Sequence, residues 1–317
     1  MWLTLTEEAN QTWFAIELLT LSYPYETVQS KIAKTLSPFA NAVKRYSEVT
    51  ERPIQLLTEK YIEEHPEVAE QNIALLKNAI ELWKTATRTS DAIAPLLVHY
   101  SWHCFNSFFV YSFFRWEPQH SKSHGIGIEL ADRLEDMKIQ VFKYGLFRRI
   151  IDTWTIIGVP LIFSPFLPFF SNDEMHFQHN EMYLCEHSNE ISLEALMRFK
   201  PVNFEKELHS KRREDLVVCP FLANSIYLPN RFLKNYLLLF VASSIARYRP
   251  ILWHSILKGK GKFGSEFFVE TRDAVLDYVL GKHRGLNLVF QIARILKNIE
   301  KETFFLRNRK GDIIKNP

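Results

Sequence analysis

Two groups of histidines and one run of lysines are the first places in this chain where residue type and spacing could do chemistry. His176, His179, Cys185 and His187 lie close together, and zinc accepts three imidazoles and a thiolate in a tetrahedron. The segment 174–185, however, alternates polar residues with methionine and aromatics and reads as a hairpin turning at His179-Asn180. That register sets His176 opposite Tyr183 and Cys185 opposite Glu174, so the four donors diverge and a polar hairpin face is expected, with no metal. His99 and His103 stand four apart, on one face of a helix, which is also a metal-ligand spacing. With no acid nearby they read as buried histidines hydrogen-bonded to neighbouring helices, Asn106 joining the same network. The run Lys258-Gly259-Lys260-Gly261-Lys262 lacks the Ser or Thr of a Walker loop. It can still meet phosphates through its lysines and exposed backbone amides, which makes Lys258, Lys260 and Lys262 candidate nucleic-acid contacts; the competing reading is a solvated linker. Gly125-Ile126-Gly127 has neither a preceding strand nor a third glycine and predicts no dinucleotide site. Basic clusters at Arg148-Arg149, Lys211-Arg212-Arg213 and 307–310 form a phosphate-binding surface only if folding brings them together.

The elements that must position these residues are mostly helical. Pro24, Pro38, Pro53 and Pro66 fall where helices would start or bend. Ala69, Ile73, Leu76, Ile80 and Trp83 recur at three- and four-residue spacing, one face of a helix that begins near Glu67. Asp91 stands as an N-cap for a long helix over 92–114 that has no Asp, Glu, Lys or Arg. After a polar loop over 120–127 the periodicity changes. Segments 138–142 and 146–150, with Gly145 at the turn, predict a hairpin. Together with 174–185 this forms a small antiparallel sheet inserted at about 137–187. Helices resume over 192–199, 230–257 and 267–280, and a last one carries Val289, Ile292, Leu296 and Ile299. The expected fold is mainly α, a helical bundle with a small inserted antiparallel β-sheet, organised as an N-terminal helical region (1–90) and a core with the insertion (91–317).

Composition narrows the classes further. The 317 residues are 47% hydrophobic, 14% aromatic and 24% charged, as in ordinary globular chains, which excludes wholesale disorder and fibrous repeats. A net charge of +3 announces no bulk polyanion binder. Three cysteines, Cys104, Cys185 and Cys219, make no disulfide framework, and a reducing cytoplasm is the natural setting. Residues 1–10 carry Glu7 and Glu8 and predict no secretory leader. The uncharged 92–114 stretch is long enough for a membrane, but His99, His103, Asn106 and three serines favour a buried helix, so no membrane partner is expected.

Several landmarks together resemble the YaaC-like family of bacterial proteins: Leu96-Leu97-Val98-His99-Tyr100-Ser101 with Phe105-Asn106, His124-Gly125-Ile126, Gly145-Leu146-Phe147, Ile191-Ser192-Leu193-Glu194-Ala195-Leu196, and Ala246-Arg247-Tyr248-Arg249-Pro250 with Trp253. That family lends no established activity. A more remote resemblance is to HEPN domains, helical bundles common in RNA-cleaving toxins and defence proteins, through the aromatic helix around 97–109. The HEPN resemblance implies a catalytic arginine followed after four to six residues by a histidine, here Arg247 or Arg249 with His254. Histidine would handle the ribose 2′-hydroxyl proton and arginine would stabilise charge on phosphate, without metal or cofactor. In an unbroken helix Arg247 and His254 would share a face about 10 Å apart along the axis, whereas Arg249 would point away. Pro250 should kink or restart that helix, and Tyr248 departs from the polar residue usual after the arginine. The resemblance therefore implies an RNA-engaging protein, extending to metal-independent endoribonuclease action in bacterial antiviral defence or stress response, with two copies facing each other. The alternative is a non-catalytic interaction subunit docking a partner protein in a defence complex.

Overall fold

A computed structural model of the chain describes residues 24–37, 40–49, 54–115, 123–142, 144–156, 190–198, 231–280, 306–307 and 313–314. Helix dominates these residues. In chain order they form α1 (Tyr25–Leu36), α2 (Ala40–Val49), α3 (Glu59–Glu64), α4 (Pro66–Thr87), α5 (Ala94–Phe113), β1 (Ile126–Glu129), β2 (Lys138–Val141), α6 (Leu146–Ile156), β3 (Glu190–Ser192), α7 (Leu193–Arg198), α8 (Arg231–Tyr248), α9 (Pro250–Leu257), α10 (Lys262–Leu280), β4 (Leu306–Arg307) and β5 (Ile313–Ile314).

The α4–α5 hairpin is the spine. Pro66 opens α4 at its first turn, where a missing N–H costs nothing, and the predicted stripe from Ala69 to Trp83 is buried. Against it lies α5, its polar residues on this side satisfied across the interface. Ser101 Oγ donates to the Ala79 carbonyl at 2.7 Å, and Asn72 Nδ2 donates to the Tyr111 carbonyl at 2.9 Å. The cap of α5 differs from expectation. The N-cap is Ile93, with no side-chain bond, and the Asp91 carbonyl instead accepts from Trp253 Nε1 at 3.1 Å. Among the described residues no helix is long and apolar enough to cross a membrane; α5 is buried within the protein, with Phe105, Phe108 and Phe113 in the core.

Helix α8 packs on the other side of α5. Tyr236 is its centre, stacked on Phe147 with ring centroids 5.8 Å apart and edge-on to Trp102 at 5.7 Å. One core cluster takes side chains from Val28 through to Val275.

The sheet is antiparallel in the order β1-β2-β3. Ile139 of β2 lies between Ile128 and Ile191 in register, and β2 alternates exposed and buried, as a half-buried strand must. The small inserted sheet is therefore present, but its strands lie at 126–129, 138–141 and 190–192. Residues 126–129 belong to β1, not wholly to a loop, and 146–150 belong to helix α6, not to a hairpin strand. Arg148 and Asp152 explain the second difference: both are buried, with Nε and Oδ1 2.9 Å apart at helical i,i+4 spacing, which only a helix allows. The expected hairpin over 174–185, with its metal group, and the helix of Val289 to Ile299 lie outside the described residues.

Gly125 and Gly145 lock the sheet to α6. Gly125 has φ 73° and Gly145 φ 90°, a region that L side chains avoid. A Cβ on Gly145 would fall 2.5 Å from the Gly125 nitrogen, and one on Gly125 would fall 2.6 Å from the Tyr144 carbonyl oxygen. With nothing larger than hydrogen at either position, the loop closes against the first turn of α6. Leu146 N donates to the Ser123 carbonyl at 2.9 Å and Phe147 N to the His124 carbonyl at 3.0 Å. His124 is thereby fixed over α5.

Candidate functional site

The residues singled out for phosphate chemistry flank α9: Arg247 and Arg249 lie where α8 ends, His254 on α9 itself, and the lysine run between α9 and α10. Arg249 is the joint: its backbone (φ −134°, ψ 56°) caps α9, and Pro250 occupies the first turn. The helix restarts there, as the proline predicts, so Arg247 and His254 sit on separate helices and the geometry of one continuous helix no longer relates them. Arg247, Tyr248, Arg249, Ile251, His254, Lys258, Lys260 and Lys262 are all exposed. Trp253 is buried beneath them at 1% exposure and anchors α9. Ile251, His254 and Lys258 fall on one helical face. The lysine-bearing link is a hydrogen-bonded turn: Lys260 N donates to the Ser255 carbonyl at 3.0 Å, and Ser265 Oγ reaches the carbonyls of Gly259 and Gly261 at 3.1 and 3.2 Å.

The two arginines have different partners. Arg249 NH1 lies 3.3 Å from Asp132 Oδ1, the arginine side chain 44% and the aspartate 92% exposed, an exposed pair worth at most about 1 kcal/mol. Arg247 lies over the Tyr248 ring at 4.9 Å and donates from NH1 to Tyr100 Oη at 3.4 Å. Of the other basic clusters, Arg148 is buried against Asp152, so Arg148-Arg149 does not join a phosphate surface. The 211–213 cluster lies outside the described residues.

Tyr100 leads inward from Arg247 to a group that the sequence reading did not assemble. Its ring lies 6.1 Å from that of His124. His124 lies 4.2 Å from His103 and 5.6 Å from His99, and His99 and His103 are 6.3 Å apart. His103 Nδ1 shares a hydrogen bond with Tyr236 Oη at 3.2 Å. Phe240 of α8 closes the group, 5.5 Å from His99. His99 is buried, while Tyr100, His103 and His124 are half-buried.

All three histidines are held neutral. Burial, then the neighbouring His103 and His124, keep His99 well below the usual imidazole range. Burial and His124 take His103 down to about 3, and burial lowers His124. Burial also pushes the Tyr236 hydroxyl far up, so it keeps its proton, and raises the half-buried Cys104 thiol to about 11. Among the described residues, no group of three or more His, Cys, Asp or Glu is placed to hold a metal ion.

The expected bonding to a neighbouring helix holds for His103, through Tyr236, but not for His99 or Asn106. Among the described residues, neither nitrogen of His99, neither side-chain polar atom of Asn106, nor His124 Nδ1 has a hydrogen-bond partner, and all are buried. Each such group costs roughly 1–3 kcal/mol. In the sequence, the His99/His103 spacing was the visible half of this group; His124 joins through the Gly125–Gly145 contact, a tertiary feature. A concavity of about 410 Å³ between α7 and α10 is lined by Glu194, Arg198, Glu266 and Glu270 among others, with Glu194 paired to Arg198 and Glu270 to Lys234. Comparison of the chain with protein-family models, with curated proteins and with solved structures finds no match.

Proposed function

We propose that this chain engages single-stranded RNA in the cytoplasm, along the ridge from Arg247 to Lys262, with metal-independent cleavage as the associated reaction. The observation that carries this reading is the joint exposure of two arginines, one histidine and three lysines around Tyr248 and Ile251. Cations neutralise backbone phosphates, and an exposed aromatic gives a base a surface to stack on. The net charge of only +3 means that attraction must be local, which suits a ridge better than a basic face. The resemblance to HEPN domains points the same way and adds a paired-copy arrangement.

The test is binding of a labelled single-stranded RNA oligonucleotide across a salt series. Each phosphate contact contributes about −0.7 to the log–log salt slope for single strands. Replacing Lys258, Lys260 and Lys262 together by Ala should therefore flatten the slope by about two. Wild-type protein that binds no RNA at low salt, or a triple variant with the same slope, refutes the reading. A second reading is favoured by one observation: Ile251 is 84% and Tyr248 57% exposed, an apolar pair suited to docking a partner protein. Under that reading Ile251→Asp abolishes partner capture while the lysine variant does not.

A further inference from the structure

The ridge and the histidine group meet at Arg247, and the group behind it has hydrogen-bonding capacity that the fold leaves unused. Tyr100, His103 and His124 reach the surface only in part, and Arg247 stands at their outer edge with its guanidinium on Tyr100 Oη. Behind them His99 and the Nδ1 of His124 lack partners. A cation and a hydroxyl at the mouth, with imidazoles directly behind, is the order of groups that a phosphodiester needs: charge on its oxygens first, then a proton acceptor next to them.

We propose that this half-buried group, between α5 and the 123–125 loop, is the cleavage site, with Arg247 and Tyr100 binding the scissile phosphate and His124 transferring the proton. The proposal rests on the RNA reading and moves proton transfer away from His254. Neutral His124 takes the proton of the ribose 2′-hydroxyl as the 2′-oxygen bonds to phosphorus. The bond from phosphorus to the 5′-oxygen then breaks, its electron pair leaving on that oxygen, which recovers the proton from the His124 imidazolium. The products are a 2′,3′-cyclic phosphate and a 5′-hydroxyl, and no other reactant is consumed. His103 is a positioning residue: Tyr236 holds its Nδ1, and its ring packs on that of His124 at 4.2 Å. Burial lowers the basicity of the pair and holds both rings unprotonated at neutral pH, so the unprotonated form of His124 is its resting one. The Gly125–Gly145 contact fixes the loop that carries His124.

The experiment uses the full chain in EDTA with two substrates, the dinucleotide uridylyl-adenosine, too short to span the ridge, and a labelled single-stranded RNA. Wild type should cut both and leave cyclic phosphate ends. His124→Gln should lose about a hundredfold or more in kcat on both while its RNA affinity stays within twofold. Tyr100→Phe, which removes only a half-buried hydroxyl, should lose about tenfold, and it decides the matter if His124→Gln fails to fold. No cleavage of either substrate by wild type overturns the proposal, as does cleavage that requires metal, or equal cleavage by both variants. If the long RNA neither binds nor depends on the lysines, but the dinucleotide is cut in a His124-dependent way, the ridge reading falls and this site stands. Tight RNA binding without cleavage gives the reverse result.

Discussion

Lowering the pH from 7.5 to 5 should destabilise the protein through the histidine group. Burial and neighbouring imidazoles oppose the charging of both His99 and His103 in the native state, holding His103 at about 3 and His99 well below the usual imidazole range. In the unfolded chain each titrates near the free value of about 6.5. A group whose folded pKa is depressed loses stability as pH falls, because the unfolded state takes up a proton that the native state refuses. The loss begins near the free value and, for His103, continues down to about 3. Between pH 7.5 and 5 His103 alone removes about 2 kcal/mol, and His99 acts in the same direction. That is a sizeable part of a stability of about 5–15 kcal/mol. No carboxylate enters among the causes of any of the three shifts; the groups facing the pair are His124, Tyr100, Tyr236 and Phe240.

Urea unfolding at pH 7.5, 6.5, 5.5 and 5.0 measures the effect, with constant m-values as the check on two-state behaviour. Other histidines also titrate, so the decisive comparison is with His99→Phe, which keeps an aromatic ring between α5 and α8 and removes the titrating group. Its unfolding free energy should depend on pH less steeply than that of wild type. A variant that parallels wild type across the series, or a wild type that loses less than about 1 kcal/mol by pH 5, would refute the picture of buried, neutral histidines.

Three further outcomes follow from the same geometry. Gly145→Ala places a Cβ 2.5 Å from the Gly125 backbone at a positive φ. Thermal unfolding should show a loss of about 1–3 kcal/mol, and the His124 ring resonances should move with it. Asp152→Asn leaves the buried Arg148 guanidinium without its anion and should cost about 3–5 kcal/mol by denaturant titration. Arg249→Ala, by contrast, removes a pair whose two ends are both solvent-exposed and should change stability by less than about 1 kcal/mol.

Much of the helical frame is legible in the sequence because it rests on local signals. Pro66 and the stripe from Ala69 to Trp83 mark α4, the uncharged 92–114 stretch contains α5, and Pro250 breaks α8 from α9 as its lost N–H requires. The errors fall where tertiary contact overrides a local pattern. Leu146 to Ile150 contains apolar residues that suit a strand, and only the burial of Arg148 against Asp152 shows the helical period. Ile126 to Glu129 is short and glycine-bearing, so its pairing with β2 is invisible without its partner. Of the candidate site, the cationic residues could be picked out by type, and their exposure fits. His124 could not be joined to His99 and His103, since its place depends on two glycines twenty residues apart in sequence pressing backbone to backbone.

The polar residues of α5 divide by the side they face, and the division bears on function. Toward α4, Ser101 bonds the Ala79 carbonyl and the Tyr111 carbonyl takes the Asn72 amide; these bonds serve packing, and an architectural account of them is complete. Toward α8 and the 123–125 loop, His99 lies among Tyr236, Phe240, His103 and His124 with neither nitrogen bonded. A phenylalanine there would bury similar area without an unmet donor or acceptor, so stability alone does not account for the imidazole. The same side carries the half-buried His103 and His124, the path through Tyr100 to Arg247, and the glycine contact that fixes the loop. The unmet polar groups of α5 among the described residues thus include a cluster on its α8 side, where His99 lies beside His103 and His124.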